Sequence, residues 1–117
     1  MSTRTFITAS AFALMLAAPA FAQQAHVHDA AAATASIEAY QQANAKMHEG
    51  MAIDFTGDAD VDFARGMIPH HQGAIDMAKV VLEHGQDPEI RKLAEAVITA
   101  QEGEIAFLKE WLEKNGR

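Results

Sequence analysis

The chain has 117 residues, 9 of them Lys or Arg against 16 Asp or Glu, with six His, six Met and no Cys. That is the length of one domain, and its net charge of −7 excludes the basic surface that nucleic-acid phosphates require. Without Cys there is no disulfide framework, thiolate zinc site or cysteine nucleophile, while 3 Pro and abundant Ala beside few β-branched residues favour helices.

Residues 1–22 read as a signal peptide. Arg4 supplies the positive start, Phe6 to Ala18 the apolar run, and Ala20-Phe21-Ala22 the small-x-small cleavage site. The run is too short and too rich in small residues for a stable membrane span. Cleavage removes Arg4 and leaves 8 basic and 16 acidic groups, net −8, in a periplasmic or secreted chain. Residues 23–35 form a flexible His- and Ala-rich segment, and residues 36–117 a helical metal-binding bundle domain. In the segment, His26 and His28 read either as an exposed tail or as a Cu(II) site near the new amino terminus.

Three helices follow from the punctuation. Asp29 caps a first helix from Ala30, or Ser36 caps a shorter one from Ile37; either ends near Met51. Asp54 to Asp60, with Gly57 and three Asp, is a loop. A second helix runs from about Val61 to His84, with Asp60 as N-cap and Gly85 as its stop. Asp87-Pro88-Glu89 opens a third that continues to Asn115. No stretch alternates with period two, so strands are not expected. The fold class is all-α, an antiparallel helical bundle.

The helical faces locate the chemistry. Phe63, Met67, His70, His71, Ala74, Met77, Ala78, Val81 and Leu82 share one stripe of the second helix, so both imidazoles are expected to point inward. The third helix aligns Ile90, Leu93, Ala94, Val97, Ile98, Ile105, Leu108, Trp111 and Leu112, with Gln101 and Glu104 in the same stripe. A buried amide or carboxylate there needs a partner. The short Gly85–Asp87 connection makes these helices antiparallel, and counting about 14 residues from either side of it brings Gln101 and Glu104 level with His70 and His71. Met47, His48 and Met51, near the end of the first helix, are expected to fold back towards Met67. Pro69 interrupts the second helix just before the His pair, and Gly66 and Gly73 flank the stripe, which suits close helix approach.

Met47, His48, Met51, Met67, His70, His71 and Met77 therefore make a candidate metal cluster. Thioether sulfur is soft and selects Cu(I) or Ag(I), and imidazole suits Cu(I) and Cu(II) alike. Gln101 or Glu104 would hold the far imidazole N–H as an outer partner of the site. The competing reading is that Met fills the core and His simply hydrogen-bonds within it. Asp58, Asp60 and Asp62 imitate a calcium loop, but Phe63 replaces its Gly and Pro69 its closing Glu. A di-iron bundle would need paired Glu-x-x-His motifs, which are absent. Ser36 is the only Ser beyond the leader, with no base beside it, and no Gly loop cradles phosphate. No catalysis is expected.

The run Asp62-Phe63-Ala64-Arg65-Gly66-Met67-Ile68-Pro69-His70-His71-Gln72-Gly73-Ala74-Ile75-Asp76-Met77-Ala78, with Gln101-Glu102-Gly103-Glu104-Ile105 and Trp111-Leu112 after it, resembles a known family signature. It is similar to the ferritin-like helical "domain of unknown function" family that includes the periplasmic copper-binding protein CopM. The resemblance spans roughly Met47 to Leu112. It implies a helical bundle, export, and copper or silver binding through Met67, His70, His71 and Met77, with Met47, His48 and Met51 matching a Met- and His-rich first helix. Leu108 stands where many relatives carry Met, a departure that bears on any ligand drawn from the third helix.

The expected protein is thus an exported copper binder for metal tolerance, storage or delivery. Its partners would be the metal ion and a periplasmic copper-transfer protein. The wide apolar stripes also suggest a homodimer. The alternative is a non-catalytic helical interaction module.

Overall fold

The computed structural model describes residues 21–115, with side chains described from Ala30 onward. Within that range the protein is an all-α antiparallel bundle of three helices with no strand: α1 (Phe21–Met51), α2 (Ala59–His84) and α3 (Pro88–Asn115). The leader assigned to residues 1–22 lies outside the described residues apart from its last two positions. No described helix is long and apolar enough to cross a membrane.

Helix α1 starts earlier than either cap predicted. Residues 23–35, expected as a flexible segment, continue the helix, because no Gly or Pro interrupts the chain from Phe21 to Glu49 and Ala30–Ala33 has the strongest helix propensity available. The first turns outrun their neighbour, and the side chains of residues 30–35 are all exposed.

The α1–α2 loop is held by two carboxylates. Asp58, not Asp60, is the N-cap of α2: its Oδ1 accepts from the Asp60 and Val61 amides at 3.1 and 3.3 Å. Asp62 reaches back from the first turn, accepting from the Thr56 amide and hydroxyl, both at 2.8 Å, and from the Gly57 amide at 3.0 Å. Gly57 has φ of 89°, where a side chain would be strained. The shift of the cap arises because Asp62 already satisfies the loop amides, which lets the helix begin two residues sooner.

The α2–α3 turn follows the expected punctuation. The Gly85 amide closes on the Val81 carbonyl at 2.7 Å, and Asp87 Oδ1 accepts from the Glu89 and Ile90 amides at 2.9 Å each. Arg91 adds guanidinium hydrogen bonds to the Leu82 and Gly85 carbonyls at 2.7 and 3.0 Å. Loose carbonyls at the end of α2 are thereby satisfied from α3.

Helix α2 is central: α1 packs on one side of it and α3 on another, and Tyr40 of α1 reaches a hollow that α3 also lines. The α1–α2 contact is built on two glycines. A Cβ on Gly73 would lie 2.6 Å from Met47 Cγ and Sδ, and one on Gly50 would lie 2.7 Å from Pro69 Cβ. Pro69 thus leaves α2 continuous and seats its ring against α1. The α2–α3 contact buries Ala64, Ile75 and Ala78 with Ala94, Ile105 and Leu108.

Two outcomes test these contacts. Gly73→Ala should lower unfolding free energy by about 1–3 kcal/mol despite the better helix propensity of Ala; a second change, Met47→Ala, should recover part of the loss in urea titrations. Asp62 is held below the ordinary carboxylate value of 3.8 by the Thr56 amide first, then its hydroxyl and the Gly57 amide, against desolvation. Its contribution is therefore present above that value and lost as pH falls through the lower folded one. The melting-temperature gap between wild type and Asp62→Asn should be widest near neutrality and close below about pH 4.

Candidate metal centre

The two adjacent histidines of α2 have opposite fates. His71 is buried, 7% exposed, and its Nε2 hydrogen-bonds Glu104 Oε2 of α3. His70 is exposed, correcting the expectation that both rings point inward. Successive helical residues diverge by about 100°, and the α2–α3 seam is wide enough for only one of them. The ring centroids stand 6.0 Å apart at 60°.

A carboxylate only accepts, so Nε2 carries the proton in the His71–Glu104 bond, and in the neutral form of the ring the lone pair lies on Nδ1. That atom is buried without a partner, as is Gln101 Oε1 one turn along α3 from Glu104. The depth count that placed Gln101 and Glu104 level with the His pair therefore holds for Glu104. His71 also lines a cavity of about 310 Å³ with Phe63, Met67, Glu104, Phe107 and Leu108. One imidazole and one thioether thus meet in a single apolar hollow.

The remaining sulfurs and imidazoles do not join them. Met47 packs into a different crevice, of about 180 Å³, with Lys46, Gly50, Pro69, Gln72, Gly73 and Asp76. Those α2 residues lie on roughly the opposite side of the helix from Met67 and His71. His48 and Met51 are exposed on α1, and Met77 is 38% exposed further along α2. The expected convergence of three sequence regions on one layer is corrected to two separate crevices, because the glycine notch draws α1 onto the side of α2 away from His71. Among the described residues, no group of three or more His, Asp or Glu is placed to hold a metal.

A hydrogen-bonded group of polar side chains edges the α1-side crevice. Lys46 donates to Asp76 Oδ2 at 2.9 Å and Gln72 to Asp76 Oδ1 at 3.0 Å. Burial pushes the Asp76 carboxyl up, but these hydrogen bonds and the charges of Lys46 and Lys79 outweigh it and hold it below the usual range. Sequence reasoning missed Lys46, Phe107 and the Gly50–Pro69 seat. Phe107 falls outside the apolar stripe of α3, and its 65% exposure follows from that. The small residue at Gly50, level with a proline on the facing helix, was the available signal for the seat.

Residues 60–117, which hold α3 and all of α2 but its first residue, match the family described as "Domain of unknown function (DUF305)". An uncharacterized protein of Acanthamoeba polyphaga mimivirus is 38% identical over 55 residues, covering 47% of this chain and 36% of that protein. The match thus spans about a third of that relative's length.

Removal of the Glu104 carboxylate strips the buried His71 Nε2–H of its acceptor. Glu104→Ala should cost about 1 kcal/mol, limited by solvent access on the side of a carboxylate that is 59% exposed. Glu104→Gln, which can still accept, should restore most of it by chemical denaturation.

Proposed function

We propose that this protein is an exported binder of a soft monovalent cation, Cu(I) and by the same chemistry Ag(I), serving metal tolerance, storage or delivery to a periplasmic transfer protein. One observation carries the reading: His71, whose Nδ1 is buried without a partner, lines the same hollow as Met67. A nitrogen lone pair and a polarizable sulfur in apolar surroundings suit a soft cation and not a hard one. Glu104 would act from the far nitrogen, fixing the ring and raising its basicity. His70, on the outward side of α2 beside Met67, would take part from the rim, whereas Met77 lines another hollow further along α2. Met47 belongs to the other crevice, and His48 and Met51 to the exposed end of α1, so a metal held there would be a separate site. Export rests on the leader read in residues 1–22, and the likeness to the family that includes CopM points the same way.

A second reading is favoured by the seating of Met47. Its sulfur fills the notch above Gly73 as a packing group, and His71 with Glu104 would be a polar tie between helices in a module that binds no metal. Anaerobic competition titration with Cu(I) separates the two. Met67→Leu and His71→Ala should each weaken binding by about tenfold or more, and Met47→Leu by less than about threefold. Uptake of Cu(I) no tighter than Zn(II), or affinities unchanged in both Met67 and His71 variants, would establish the structural module instead.

A further inference from the structure

Among the described residues, one face of the α2–α3 hairpin is left uncovered over much of its length, with Tyr40 of α1 at one end. Phe63, Met67, His71, Glu104, Phe107 and Leu108 line its middle hollow. Trp111 and Asp60 extend it at one end, and Met77, Val81, Leu93 and Ile90 at the other, with Tyr40 of α1 as a border. Phe63 is 62% exposed, Phe107 65%, Leu93 58% and Ile90 51%. Together with Met77 these side chains leave on the order of 500 Å² of apolar surface per chain in water. Apart from the Tyr40 phenol, only Asp60, His71 and Glu104 among the residues lining these hollows are ionisable.

We propose that a second copy of this chain closes this face, and that the metal layer is completed between two copies, Met67 and His70 of each meeting across the interface. The inference rests on the copper reading above and extends it. A stable interface buries about 800 Å² per partner, and the five exposed side chains alone supply more than half of that. The position of the donors agrees. Met67 and His70 sit one turn apart in the middle of the apolar stretch, with aromatic residues on one side and aliphatic ones on the other. A two-fold contact is isologous, so groups near its axis face their own counterparts. One chain brings to this hollow only Met67 and His71, with His70 left on the rim; the pair of chains supplies a full set of sulfur and nitrogen donors, and apolar surface then seals them from water. Exposure of His70 is a fault in a single-chain site and a requirement in a shared one.

The mass of the purified protein in solution, measured by light scattering with and without Ag(I), tests this. The expected result is twice the chain mass, reinforced by Ag(I). Phe107→Glu and Leu93→Glu, both at exposed positions that ligate nothing, should halve that mass at unchanged helical circular dichroism and weaken Ag(I) binding by tenfold or more. A wild-type chain that stays monomeric with Ag(I) bound overturns the shared site while leaving the copper reading intact. So does a monomeric Phe107→Glu variant that binds Ag(I) as tightly as wild type. A dimer that takes up neither Ag(I) nor Cu(I) overturns the copper reading, and the shared site with it.

Discussion

The hydrogen bond between His71 and Glu104 is the constraint on which the rest of the bundle turns. An imidazole can be buried only if its N–H finds an acceptor, and the one within reach comes from the neighbouring helix. That bond fixes the register of α2 against α3 as firmly as the three-residue turn does, because a slip of one residue would remove Glu104 from the seam. It also fixes the ring. With Nε2 committed, the lone pair of a neutral imidazole lies on Nδ1, which is buried without a partner in a residue that lines the same hollow as Met67.

The opposite side of α2 obeys a different rule. There the contact is steric: Met47 occupies the space of a missing Cβ on Gly73, and Pro69 does the same at Gly50. Close approach of α1 needs both small residues, and it turns the first helix away from the His71 seam. The separation of Met47 from Met67 is thus the geometric consequence of an α2 helix that serves two neighbours on nearly opposite sides.

Much of the fold was legible from the residues. The ends of α2 and α3 were given by Gly85, Asp87 and Pro88, whose roles are local, and the level of Glu104 followed from counting along two helices joined by a short turn. The start of α1 was misjudged because Asp29 and Ser36 are adequate caps that nothing requires the chain to use. The N-cap of α2 moved to Asp58 through hydrogen bonds between Asp62 and residues five and six positions away, which single-position preferences do not encode. The site was legible only in part. Helical periodicity says which side chains share a stripe, but not how much of a stripe the neighbour covers. His70, Phe63, Leu93 and Met77 all lie within the predicted stripes and all remain exposed.

That discrepancy carries information. A stripe wider than its contact costs apolar exposure in an isolated chain, and on α2 and α3 the excess gathers along one face with Met67 and His70 near its centre, while Ile37, Met51 and Phe55 lie apart from it. A buried imidazole nitrogen without a partner costs about 1–3 kcal/mol, a penalty that helix packing alone gives no reason to retain, since an apolar side chain of similar size would fill the seam as well. The same position holds both the unpaired nitrogen and the uncovered surface. Each has a separate physical remedy, a soft cation for the lone pair and a second apolar face for the surface, and a single layer shared by two chains supplies both at once.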